Sequence, residues 1–313
     1  MTTEAELIVD RRRLKRGLTL WRIAAVVFAV AAIAALVWPK GSIGQFENHI
    51  ARVKVQGLIT GDEATLKLFD DIADSKKVKA VILEIDSPGG TTVGSEAIYE
   101  KIRAVAKDRP VVAVMNSVAA SGGYITAIAA DHILARGNTI TGSIGVVFTF
   151  PEVSRLLDNL GIKMEEIKSS ELKAEPSGFK PVSDKVRQVT QDMVMESYGW
   201  FTGLVAERRK MPLEQVKILA DGRVYSGRQA VANKLIDGLG GEEQAITWLE
   251  TEKKLEKGLK VSDWAPAPVL DPMGFGFSSV ASGLLRLFGL ETLAQKSDAA
   301  KLDGLLVLWH PQL

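Results

Sequence analysis

The sequence predicts an α/β domain of repeated strand–helix units behind one apolar N-terminal segment. Three observations point there. Short, largely apolar runs such as Lys79–Ile85 and Pro110–Met115 alternate with amphipathic stretches of helical spacing. Two of those runs end in glycine-bearing turns, Asp86–Gly90 and Ala119–Tyr124. Ile23–Trp38 carries no charge and follows a basic cluster.

The composition agrees with a folded chain. Of 313 residues, 46% are hydrophobic and 25% charged, with a formal charge of +1. These values exclude wholesale disorder, collagen, coiled coil and a polytopic transporter. Cysteine is absent and only His49, His132 and His310 supply imidazole, so no disulfide, thiolate site, metal or cofactor is expected. Residues 1–22 hold six basic side chains against three acidic, a balance of +3, which leaves about −2 for the remainder. A body without basic excess argues against nucleic-acid binding.

The elements follow in order. Residues 1–20 read as a basic cytoplasmic tail and 21–38 as a transmembrane anchor. A bilayer core about 30 Å thick takes ~20 apolar residues, and the positive-inside rule sets the orientation. No small-x-small cleavage pattern follows the run, which favours an uncleaved anchor over a signal peptide. Residues 39–48 read as a linker, 49–255 as the main domain and 256–313 as a tail. Within the domain, strands are expected at Ile50–Ile59, Lys79–Ile85, Pro110–Met115, Ile133–Ala135, Ile144–Phe148 and Lys163–Ile167. Helices are expected at Glu63–Ile72, Ser95–Ala106, Ser121–Ala130, Glu152–Leu160, Ser183–Arg209, Pro212–Ala220 and Gly227–Lys234. Beyond Leu255 the pattern weakens, apart from an apolar patch at Leu302–Trp309.

The chemistry concentrates in the two turns. Glycines allow positive φ and close backbone approach, and successive N–H groups in such turns can converge on one oxyanion. Asp86-Ser87-Pro88-Gly89-Gly90 offers such donors. Ala120-Ser121-Gly122-Gly123-Tyr124 places a hydroxyl where a strand gives way to a helix. Either turn alone is more often plain structure: a Gly-Gly turn, or a serine N-cap.

Together these residues resemble the signal peptide peptidase A family, membrane-anchored serine proteases of the Clp/crotonase superfamily. The resemblance covers roughly residues 50–245 and rests on Asp86–Gly90, Ala120–Tyr124, Thr141-Gly-Ser-Ile-Gly-Val146, Leu172-Lys173 with Pro176, and Asp221–Arg228. It implies a Clp/crotonase-like α/β fold in the short, single-unit form. It implies Ser121 as nucleophile, Lys173 as general base and Ser143 as the residue that orients the amine. Gly89 and Gly122 would form the oxyanion hole, with Gly90 as a substitute for Gly89. Leu172 stands where family members often carry an aromatic residue. An ordinary lysine, with a pKa of ~10.4, is charged at neutral pH, so the dyad needs an apolar cleft to favour the neutral amine.

The resemblance further implies apolar peptide substrates, chiefly remnant signal peptides, and a homo-oligomer in which Ser121 and Lys173 meet across a subunit boundary. It places the chain in the bacterial inner membrane, catalytic domain on the periplasmic side. An extended peptide is expected along the strand edge near Gly89–Thr92. The rivals are weaker. His132 reads as structural, and Asp86 as a turn residue. Ser87 and Ser117 lack a following glycine. Lys168 and Lys180 read as solvated. Other functional readings are a crotonase-like acyl-CoA enzyme, a membrane protease acting on stomatin-like partners, and a peptide-binding pseudoprotease.

Overall fold

The structure is a computed structural model and describes residues 21–28, 47–266 and 305–308. The chain divides into two units, Met1–Glu47 and Asn48–Leu313. In the first, residues 21–28 are helical, with Trp21 and Phe28 exposed. The rest of the expected anchor, 29–38, lies outside the described residues, as does the 1–20 tail. Among the described residues no helix is long and apolar enough to cross a membrane.

The second unit is built on one sheet. Strands β1 (His49–Ile59), β2 (Val78–Thr91) and β3 (Val111–Ala120) run parallel, connected by helices α1 (Glu63–Asp74) and α2 (Thr92–Val105). After α3 (Gly122–Ile128), β4 (His132–Ala135) lies parallel to β3, and β8 (Gly238–Leu239) parallel to β4. β9 (Lys260–Trp264) extends the sheet beyond β1. Beyond the β4 pairing, β3 pairs with β5 (Ile140–Gly142), which in turn pairs antiparallel with β7 (Val224–Ser226). Two short strands, β6 (Val147–Phe148) and β10 (Leu305–Leu308), complete it. The remaining helices are α4 (Ser154–Asn159), α5 (Asp184–Arg209), α6 (Leu213–Leu219), α7 (Gly227–Ala232) and α8 (Glu242–Thr251).

The pleat explains the unbroken apolar runs. Successive side chains leave a strand on opposite faces, and both faces here are covered. Val81, Leu83 and Ile85 of β2 and Val111, Ala113 and Met115 of β3 join the core that also holds Ile98 of α2, Ile125 of α3 and Phe201 of α5. The intervening Ala80, Ile82, Val112 and Val114 pack under Ala245 and Leu249 of α8. A strand buried on both faces loses the apolar–polar alternation and reads as a continuous apolar run. α1 opens on Asp62, whose carboxylate accepts from the Thr65 N–H at 2.9 Å, an ordinary N-cap.

Several expectations need correction. Lys163–Ile167 is not a strand: residues 162–168 carry no regular structure, and Ile167 is fully exposed. Its alternating pattern has no partner strand among the described residues, and a lone extended segment cannot satisfy its backbone. The expected turn at Asp86–Gly90 is instead the end of β2, which runs on to Thr91 with register shifts near Ser87 and a positive φ of 112° at Gly89. The strand expected at Ile144–Phe148 is reduced to the two residues of β6. α2 begins three residues before the expected Ser95 because the Thr91 hydroxyl caps it, accepting from the Gly94 N–H at 3.0 Å.

Candidate active site

β3 hands the chain to α3 at Ser121. That residue adopts φ 54°, ψ −116°, a conformation a side chain rarely takes. Three contacts enforce it. The Ser121 N–H donates to the Gly142 carbonyl at 2.8 Å, and its own carbonyl accepts from the Ile125 N–H at 2.9 Å. Gly123 packs so close to β2 that a β-carbon there would lie 2.6 Å from the Ser87 carbonyl oxygen. The tiny residues around Ser121 therefore let the helix N-terminus press against the end of β2.

The Ser121 side chain is 1% exposed. Its Oγ is the one buried side-chain polar atom among the described residues that has no hydrogen-bond partner. An unmet buried hydroxyl costs about 1–3 kcal/mol, and native structures carry few of them. Gly122 is the first residue of α3, so its N–H belongs to the group with no intrahelical acceptor.

The structure brings Ser143 to the same place. Ala120 and Gly142 are paired across β3 and β5, and the Gly142 carbonyl that holds Ser121 immediately precedes Ser143. Ser143 is itself in a left-handed conformation, φ 49°, with its N–H donated to the Arg223 carbonyl at 2.8 Å. Gly90 lies against β1, where a β-carbon would meet the Ile59 carbonyl oxygen at 1.9 Å. The Gly89 N–H donates to Ser87 Oγ at 3.1 Å, and that hydroxyl donates to the Gly57 carbonyl at 2.6 Å. Lys173 is not joined to Ser121 within the chain: it is exposed, and the serine hydroxyl has no hydrogen-bond partner among the described residues.

The rivals are occupied elsewhere. Ser87 is fully buried and committed to Gly57. An Asp86 carboxylate oxygen accepts from the Val118 N–H at 3.1 Å, tying β2 to β3. His49 is buried and accepts from Trp264 Nε1 at 3.0 Å. His132 stacks on Trp248 with centroids 4.5 Å apart, and burial lowers its pKa despite Asp237. His310 lies outside the described residues. Lys168 is a correction: its side chain is 14% exposed, and Glu166 and then Glu175 raise its pKa, so it holds its proton. Lys180 is paired with Glu175 at 2.5 Å.

One placement was left open by the sequence, that of the tail after Leu255. Every strand has two edges. β1 pairs with β2 as far as Gly90, so β10, which pairs antiparallel with Gly89–Thr91, takes the opposite edge. That edge belongs to β3 as far as Ser87, opposite Ala119. β10 therefore continues where β3 turns away at Ser121. Its other side pairs with β6. The chain's own segment thus fills a one-strand slot beside the serine, where sequence reasoning expected a peptide. Next to it, between β6 and α5, is a cavity of about 360 Å³ lined by Val147, Phe148, Phe150, Val194 and Arg187.

Residues 103–256 match the family model for peptidase family S49. A Synechocystis sp. protein bearing a protease name is 37% identical over 69% of this chain and 78% of its own length. An Enterococcus faecium protein bearing the name signal peptide peptidase SppA is 41% identical over 68% of this chain. The chain spans 66% of that relative's length. Among solved structures, a mutant ClpP1 from Listeria monocytogenes is 15% identical, with TM-score 0.42, covering 62% of this chain and 92% of that one.

Proposed function

Since the chain belongs to peptidase family S49, we propose that it is a serine endopeptidase in which Ser121 attacks the scissile carbonyl and Lys173 takes the hydroxyl proton. The observation that carries this reading is the Ser121 hydroxyl, held by a strained backbone with no hydrogen-bond partner of its own. A structural serine at a helix start would cap the helix; this one makes no capping bond.

The reaction needs each part once. As Oγ bonds to the carbonyl carbon, its proton passes to the lysine amine. The resulting oxyanion is met by the Gly122 N–H and by Gly89 or Gly90 from β2. The Gly89 N–H would leave Ser87 Oγ for it, because a bond to an ionised oxygen is about twice as strong as a neutral one. The lysine then returns the proton to the departing amine, and water cleaves the acyl-enzyme. Ser143, one residue from the carbonyl that holds Ser121, orients the amine.

An amine exposed on its own subunit, and a serine hydroxyl without a partner among the described residues, favour a homo-oligomer in which Lys173 serves the Ser121 of a neighbouring copy. Substrates bind as a strand in the slot between β2 and β6, by main-chain hydrogen bonds. The apolar cavity beside β6 favours apolar side chains, as in remnant signal peptides. The run Ile23–Trp38 and its basic flank support a membrane anchor with the peptidase unit outside the cytoplasm.

Labelling with a fluorophosphonate tests the nucleophile. Wild type and Ser87→Ala should label and cleave a signal-peptide substrate. Ser121→Ala should lose both, with cleavage down at least ~10³-fold. Ser121→Ala that still labels would sink the assignment.

A further inference from the structure

The segment that carries Lys173 is itself neither strand nor helix: from Gly161 to Ser183 the chain is irregular, with turns and bends, and Glu171 ties it to α5 through Lys185 at 2.6 Å. Within it, four charged side chains form a closed cluster. The Glu175 carboxylate, 4% exposed, accepts from Lys168 Nζ at 2.7 Å and Lys180 Nζ at 2.5 Å. It also accepts from the Ser177 N–H at 2.9 Å. Glu166 completes the ring, pairing with Lys168 at 2.8 Å and accepting from the Ser177 hydroxyl at 3.3 Å.

The cluster sits at the neck of a small loop. The Lys168–Glu175 pair joins positions seven residues apart, and Lys173 lies between them, two residues before the pinned carboxylate. Inside the loop the Lys173 N–H donates to the Ser170 carbonyl at 3.2 Å, and the Glu175 N–H donates to the Leu172 carbonyl at 3.3 Å. Ala174 between them takes φ 60°. Lys173 therefore stands on a tight turn whose downstream end is fixed by a nearly buried anion.

We infer that Glu175, clamped by Lys168 and Lys180, is a positioning residue that holds the backbone of Lys173 in the pose its amine needs to reach Ser121. The inference rests on the reading of Lys173 as the base. Its physical content is preorganisation. A lysine stem is flexible, and a misplacement of about 1 Å in a reacting group costs ~10²-fold in rate. Deleting one partner of such a cluster leaves an uncompensated charge, so the ring holds its shape as a unit. Lys168 and Glu175 hold this pairing at any working pH: Lys168 and then Lys180 keep the Glu175 carboxyl at about 2, and Glu166 and Glu175 raise Lys168.

The test is steady-state cleavage of an apolar peptide by the full chain, with rates divided by the fraction of Ser121 titrated by a fluorophosphonate. Glu175→Gln keeps the shape and removes the charge. It should lower kcat per labelled site by about 10- to 100-fold, with KM within about twofold of wild type. Lys168→Met should fall similarly, and Lys168→Met/Glu175→Gln no further than the worse single variant. Lys180→Met, at the exposed end of the ring, serves if the others fold poorly, with a drop of at least about fivefold. A purely structural role would change the titratable fraction and leave kcat per site unmoved. Wild-type kcat per site in the cluster variants, with Lys173→Ala inactive, overturns the inference alone. Full activity in Lys173→Ala overturns the dyad and this inference with it.

Discussion

His132 and Ser121 are both enclosed polar side chains, and the structure treats them in opposite ways. The imidazole is partly buried: it stacks on Trp248 and lies 3.6 Å from the Asp237 carboxylate. Burial outweighs that carboxylate and lowers its pKa below the ordinary 6.5. The folded state therefore binds this proton later than the unfolded chain does. Its contribution to stability is complete above pH ~6.5 and is lost as the pH falls through the lowered value. The unfolding midpoint should drop between about pH 7 and pH 5, and His132→Phe, which keeps a ring against Trp248, should flatten that drop. An unchanged slope in thermal melts of the variant would contradict it. Ser121, by contrast, has a hydroxyl with no hydrogen-bond partner among the described residues. No single residue type announces that difference in the sequence; three histidines and many serines were candidates. What narrowed them was the family resemblance, of which the run Ala120–Tyr124 is one motif; the small neighbours in that run permit the tight strand-to-helix turn at Ser121.

Among the elements, β10 makes the sharpest prediction. It occupies the slot between β2 and β6, so a chain ending at residue 304 should bind peptides without competition from its own segment. A tethered occupant acts at an effective concentration in the millimolar range. KM for an apolar peptide should fall roughly tenfold by that measure, and titration of the truncated chain with a peptide of the 305–313 sequence should raise it again. An unchanged or higher KM in steady-state assays would contradict this role. The central strands were legible because burial on both faces leaves unbroken apolar runs. The edge pieces were not. Lys260–Trp264 contains Lys260 and Asp263 and has weak apolar patterning; it is held by Arg52, which pairs with both Asp263 and Glu242, and by Trp264 against His49. β10 lies more than two hundred residues from β2, and no local pattern encodes such a pairing. Lys163–Ile167 had a strand's alternation and no neighbour to pair with. The cluster around Glu175 was equally hidden, since Lys168 and Lys180 look like ordinary surface lysines until Glu166 and Glu175 are seen between them.

At the scale of the molecule, two stretches of chain leave apolar side chains in water. Ile162, Met164 and Ile167, with Val189, Met193 and Met195 from the first half of α5, are all exposed. The buried residues of α5 fall mostly in its second half, at Ser197, Phe201, Thr202 and Val205. Exposed apolar side chains are what a neighbouring copy covers, and Ile162, Met164 and Ile167 lie on the same stretch of chain that carries Lys173. The resemblance read from the sequence motifs led to an oligomer, and this surface supplies a physical reason for one. In the proposed reaction, Ser121 of one copy works with Lys173 of another. The most direct measurement is peptide cleavage by mixed oligomers of Ser121→Ala and Lys173→Ala chains, purified through two different tags. Each variant alone should be inactive, and the mixture should recover a substantial fraction of wild-type cleavage. A mixed oligomer as inactive as its parents, or a Lys173→Ala chain that cleaves by itself, would contradict the claim.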